Sequence, residues 1–231
     1  MTRIKAICTV IGISIALLAN QLPSHAQANS GRDPNRRSGG DRGECPALSS
    51  NLNTAPDSHL TALIPESGET LSALESPTLW FYIPYSSKPP LSARLVIRDE
   101  YGKMVMEPQI TKLPITSGIV RWQLSQELKI NQNYHWYFSI LCNSDKPSSN
   151  PIVDGWIRRI QLNPTLNSRL KTTTLIEQIA LYTQAGLWSD AFTLVANQRD
   201  TNSQAKTEWN KLLKAIGLES LAKQTIHHTP L

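Results

Sequence analysis

"NYHWYFSILC", residues 133–142, alternates strictly: Tyr134, Trp136, Phe138 and Ile140 fall on one side of an extended chain, and His135, Tyr137, Ser139 and Leu141 on the other. Side chains that large on one side predict a strand with a face in a core. The approach to it sharpens the reading. Leu128 stands six residues before Tyr134, the pattern of the corner that opens the sixth strand of many immunoglobulin-type sandwiches, where the Tyr hydroxyl bonds back to the preceding backbone. Tyr134, Trp136 and Phe138 are therefore expected in the core.

Working outward, short apolar runs separated by Pro, Gly, Ser and Asn recur from His59 to Leu162: "HLTALIPE", "PTLWFYIP", "SARLVIRDE", "KMVMEPQIT", "GIVRWQL", the run above, and "VDGWIRRIQL". Seven runs in this span predict an immunoglobulin- or fibronectin-like antiparallel β-sandwich over residues 57–163. "DEYGK" reads as a hairpin turn with Gly102 at positive φ. Asp154-Gly155 reads as a bulge or the start of a strand. One run is odd. In "TLWFYIPY", residues 78–85, Leu79, Phe81 and Ile83 oppose Trp80 and Tyr82, so neither face is polar.

After Pro164 the period changes. Ile176, Ile179, Ala180 and Thr183 recur at helical spacing behind a Thr174/Glu177 capping box, and Gly186 stops that helix. Further helices are expected in "SDAFTLVAN", over Ser203 to Ile216 and in "LESLAKQ". "ALYTQAGLWSDA" resembles half of a tetratricopeptide repeat, with Tyr182, Gly186, Trp188 and Ala191 in its Tyr, Gly, aromatic and Ala positions. Such repeats normally need neighbours to bury their inner faces. Residues 164–231 are therefore expected to pack their apolar faces on one sheet and to cover one side of "TLWFYIPY", with Trp80, Phe81 and Trp156 counted among the structural core beside Tyr134, Trp136 and Phe138. Each large side chain so covered contributes about 1.5–3 kcal/mol.

The other end of the chain points to export. Arg3 and Lys5 precede an uncharged run from Ile7 to Ala19, and "SHAQA" presents small residues for cleavage after Ala26 or Ala28. Residues 1–28 are read as a signal peptide, because the run falls short of the about 20 apolar residues that span a bilayer. The expected location is periplasmic or extracellular. Residues 29–56, including "GRDPNRRSGGDRG", are read as a flexible Arg/Gly-rich arm. Without the leader, 21 basic and 18 acidic side chains leave a net charge of +3, too small to argue for nucleic acid. Cys8 leaves with the leader. Cys45 and Cys142 remain, and in an oxidising compartment such a pair is expected to be bridged. Closing so long a loop is worth about 4 kcal/mol in the chain-entropy treatment.

Taken together, "GRDPNRRSGGDRGEC", "LTALIPES" with "PTLWFYIPY", "YHWYFSILC", "DGWIRRI" and "ALYTQAGLWSDA" make the chain similar to the cyanobacterial family known as domain of unknown function 928. The resemblance runs from about Gly31 to Leu221. It departs in the arm, where Asp-Pro and Gly-Asp stand in place of further Gly. It implies an exported envelope protein and carries no activity to inherit.

Catalytic patterns are absent from the sequence: no G-x-S-x-G, no H-E-x-x-H, no glycine-rich phosphate loop and no acidic calcium loop. His135 reads as structural, His227 and His228 as part of a frayed terminus, and Ser67 as a turn residue. Arg158 and Arg159 fall on opposite faces of their strand, and one is expected to stack on Trp80, Trp122 or Trp136, with an anion site as the alternative. The expected function is a non-enzymatic module, with no metal and no cofactor, that binds another envelope protein. The alternative is a carbohydrate-binding module that uses Tyr82, Tyr85 and Tyr137 as exposed platforms for a glycan.

Overall fold

The structure, a computed structural model, describes residues 34–38 and 58–227. It is mixed and mostly sheet: β1 (Thr61–Ala62), β2 (Glu69–Ser72), β3 (Thr78–Ile83), β4 (Ser92–Asp99), β5 (Gln109–Lys112), β6 (Gly118–Gln123), β7 (Asn133–Leu141) and β8 (Ile152–Arg159) precede four helices. These are α1 (Pro164–Thr172), α2 (Leu175–Gln184), α3 (Trp188–Ala196) and α4 (Ser203–Ala215), and a last short strand, β9 (Ile226–His227), follows. Two open sheets result, ordered β1-β3-β6-β9 and β2-β8-β7-β4-β5. Among the described strands, β2 beside β8 and β9 beside β6 pair in parallel.

Alternation decides what each strand buries. Leu79, Phe81 and Ile83 of β3, with Val120 and Trp122 of β6, meet the inward residues of β4, β7 and β8 in one apolar core. Phe81 stacks on Phe138 with ring centroids 3.8 Å apart and meets Trp136 edge-on at 5.5 Å. Tyr134 lies where the opening stretch predicts: Lys129 N donates to its hydroxyl oxygen at 3.0 Å, and the hydroxyl donates to Gln132 Oε1 at 3.0 Å. Gly155 sits inside the β7–β8 ladder opposite Trp136, in unbroken register, so no bulge occurs there. A Cβ at Gly155 would clash with the Trp136 ring, and the absent side chain is what lets the indole lie across β8.

The second face of β3 is covered. Trp80, Tyr82, Ile119 and Leu63 form a second core with α3 and α4, which contribute Phe192, Val195, Trp209 and Leu213. Trp209 meets Trp80 and Phe192 edge-on, at 6.1 and 5.4 Å between centroids. Polar contacts fix α3 in place. Trp80 Nε1 donates to Thr193 Oγ1 (3.2 Å), Ser189 Oγ donates to the Thr78 carbonyl, and Asp190 accepts from Ser72 Oγ (2.6 Å) and Ala73 N (2.7 Å). Gly186, at φ +74°, ends the α2 turn and presents its carbonyl to Leu71 N of β2 at 3.1 Å. The Thr174/Glu177 capping box opens α2. Helix α1, not anticipated from periodicity, starts on Pro164 behind Asn163, whose side chain accepts from Leu166 N at 2.7 Å.

Several expectations are corrected. The segment around Arg36 is not a solvated arm: Arg36 is 9% exposed, and its Nη1 donates to the carbonyls of Ile64 (2.9 Å) and Ile216 (2.6 Å). Ile216 caps α4, so the negative end of that helix faces the guanidinium. Glu66 lies 3.5 Å away but is 84% exposed, and water screens most of its contribution. His227 is not frayed: it pairs with Val120 in β9, and its Nε2 lies 3.1 Å from the Ser117 carbonyl. Trp156 is half-buried and lies outside both apolar clusters. Neither arginine of "DGWIRRI" makes the expected stack. Arg159 instead pairs with Glu75 (2.7 Å) and donates to the Leu128 carbonyl (2.9 Å), while the cation–π contact belongs to Arg199, 5.3 Å from the Trp209 centroid.

Candidate functional site

The outer face of the five-stranded sheet is built from the residues that alternation turns away from the core. Register places Glu69, Trp156, His135 and Arg98 in one row across β2, β8, β7 and β4. Asp154, Tyr137 and Val96 form the next row, then Ile152, Ser139, Arg94 and Ile110. Helices α2, α3 and α4 pack instead in the core outside the other sheet.

At its centre is a polar chain. His135 Nε2 lies 2.7 Å from Asp154 Oδ2, and His135 Nδ1 lies 2.8 Å from the Tyr137 hydroxyl. Asn35 N donates to Asp154 Oδ1 at 3.2 Å, and Asp154 N donates back to the Asn35 carbonyl at 3.1 Å, which ties the N-terminal segment to β8. Trp156 stacks on one side of the imidazole at 4.3 Å, and Tyr137 leans on it at 4.2 Å. A neutral imidazole with its proton on Nε2 satisfies every partner: it donates to the carboxylate and accepts from the phenol. Both ring nitrogens are thus engaged within the face.

Cations surround this centre. Arg158 on β8, Arg98 and Arg94 on β4 and Lys112 on β5 share the outer face, and none pairs with a carboxylate among the described residues. Arg98 spends one donor on the Gly102 carbonyl at 2.6 Å. Arg94, Ile110 and Ile152 are exposed.

Of the three tyrosines expected to present open rings, the structure brings none to such a position. Tyr82 lies under α3 and α4 with no exposure, and Tyr85 belongs to the inner core, where burial pushes its hydroxyl pKa up. Tyr137 alone reaches the outer face, half-buried against His135. Cys142 follows β7, its backbone N donating to Asn150 Oδ1 at 3.1 Å; Cys45 lies outside the described residues, as does the expected signal peptide. Ser67 accepts from Glu69 N at 3.4 Å, as a turn residue does. Sequence reasoning missed Asp154 as the partner of His135. The available signal was parity: Tyr137 and His135 share a face, and one residue on the neighbouring strand had to meet them there. Among the described residues no cluster of His, Cys, Asp or Glu could hold a metal ion, and no helix is long and apolar enough to cross a membrane.

Residues 37–226 match the family described as Domain of Unknown Function (DUF928), and the chain belongs to that family. No curated protein matches the chain.

Proposed function

We propose that this is an exported cell-envelope protein that works as a non-enzymatic protein-interaction module: an immunoglobulin/fibronectin-like sandwich with a tetratricopeptide-like hairpin docked on one sheet. One observation carries the reading. The outside of the four-stranded sheet is buried under helices, while the outside of the five-stranded sheet, among the described residues, keeps exposed aliphatic side chains beside cations that no carboxylate neutralises. A face of that composition suits a polypeptide partner. The strand order supports the sandwich reading, since β8-β7-β4 matches the G-F-C side and β7 opens on its tyrosine corner. The hairpin reading is supported by Gly186 at positive φ and by the buried Ala191. The engaged imidazole of His135 favours recognition over catalysis.

Two experiments test this. N-terminal sequencing of the protein recovered outside the cytoplasm should begin at Gln27 or Asn29, and a digest without reductant should hold Cys45 and Cys142 in one linked peptide pair. Recovery of the intact chain only from the cytoplasm rules out export. For recognition, a photo-crosslinking amino acid placed at Ile110 or Ile152 in producing cells should give discrete protein adducts, whereas the same group at Thr207 on α4 should not. Equal labelling from all three positions, or none from the sheet, defeats the assignment of this face. Adducts that carry glycan and no protein would favour the carbohydrate alternative.

A further inference from the structure

Among the described residues, two of the four sheet edges meet another segment of the chain. Beside β1, Ser38 N donates to the Leu60 carbonyl (3.0 Å) and Ala62 N to the Arg36 carbonyl (2.9 Å). On β2, Leu71 N is taken by Gly186, and β9 runs along β6. Strand β5 has no described chain on its outer side. Its register says which groups are left open. Leu113 N donates to the Leu91 carbonyl at 2.7 Å, so in the β4–β5 ladder the bonded pairs are Thr111 with Ala93 and Gln109 with Leu95. The N–H and C=O of Ile110 and Lys112 therefore point outward, away from β4.

The side chains at this edge are equally specific. Ile110 stands opposite Arg94, and Met104 forms a bridge with Arg98, so both share the outer face with those cations. Ile110 is 61% exposed and Met104 47%. Aliphatic and cationic side chains thus alternate along an open edge, with Lys112 at one end and Glu100 and Glu107 confined to the connecting loop. Pro108 and Pro114 bracket the strand and limit how far pairing can run.

We propose that β5 is a strand-addition site for an extended acidic–aliphatic segment of a partner protein. The segment pairs with the outward backbone groups of Ile110 and Lys112, sets aliphatic side chains on Ile110 and Met104, and sets carboxylates against Arg94, Arg98 and Lys112. The assignment rests on the interaction-module reading and narrows its partner. A polysaccharide fits less well: it brings no backbone repeat to match the edge, and Trp156 is already stacked on His135 while Tyr137 leans against it.

The probe is a fluorescein-labelled peptide of about eight alternating Glu and Val residues, titrated into the full secreted chain and read by anisotropy. Controls are a Lys/Val peptide, a Glu/Val peptide N-methylated at alternate amides, and polygalacturonate. Ile110→Pro removes one outward N–H without touching a β4 bond, and unchanged circular dichroism verifies its fold. Binding of the Glu/Val peptide should fall about tenfold or more with Ile110→Pro, with N-methylation and with Arg94→Glu, and should weaken as salt rises. If Ile110→Pro does not fold, the N-methylated peptide on the wild-type chain decides. The site is overturned if the Glu/Val peptide does not bind, if it binds equally after N-methylation or to folded Ile110→Pro, or if polygalacturonate binds and the peptide does not. Photo-adducts from Ile152 but none from Ile110 would leave the interaction module standing and remove only this site.

Discussion

Replacing Trp209 by alanine should lower the unfolding free energy by about 3–5 kcal/mol, the range for deleting a large buried aromatic side chain. Trp209 is fully buried between Trp80 of β3 and Phe192 of α3, and the Arg199 guanidinium lies over its ring. It joins α4 to the sheet through Trp80, so its removal opens a cavity where three elements meet. Its indole Nε1 has no hydrogen-bond partner among the described residues. Truncation therefore strands no acceptor, and the loss measures packing. Trp209→Phe, which keeps most of the volume and removes the unsatisfied N–H, should cost markedly less than alanine. Urea unfolding of the three proteins at one pH is the measurement. A loss below about 1 kcal/mol for alanine would mean that the helices do not hold the sheet they cover.

This second core also marks what could and could not be read beforehand. The two apolar faces of "TLWFYIPY" called for a cover, and the amphipathic helices had no core of their own, so their meeting followed from surface that had to be buried. Which tyrosines the cover would hide did not follow. Tyr82 and Tyr137 look alike as strand residues, and only the placement of α3 and α4 separates a buried ring from one on the outer face. Trp156 departs from expectation for a related reason: its size argues for the core, whereas its parity with Asp154 puts it on the far face beside His135. Arg36 was illegible. Nothing in "RDPNRR" distinguishes it from its neighbours, because its partners are main-chain carbonyls 28 and 180 residues away. The short strands β2 and β9 escaped notice because they pair in parallel with distant strands and carry little alternation of their own.

Asp190 should make stability fall as the pH rises from about 4 to about 7. The carboxyl is 4% exposed, and burial raises its pKa from 3.8 to about 6 against the opposing effect of its bonds from Ser72 and Ala73. Its place in the first turn of α3 favours the anion, but desolvation wins. With the folded pKa above the unfolded one, the folded chain holds the proton more tightly. The associated stability is complete below pH 3.8, is lost as pH climbs through about 6, and is constant beyond. The gap corresponds to about 3 kcal/mol as an order of magnitude. Tyr182 feels the Asp190 charge, but its hydroxyl pKa is pushed up by burial and by that charge, so it stays neutral in this range. Asp190→Asn isolates the effect, since the amide oxygen can accept from Ala73 N while its NH₂ meets Ser72 Oγ. Relative to that variant, the wild type should be similar in stability at pH 4 and weaker by up to about 3 kcal/mol at pH 7. Urea midpoints for both proteins across that range decide it. A difference that does not change with pH, or one that favours the wild type as pH rises, would show that the α3–β2 junction carries no buried ionisable carboxyl of this kind.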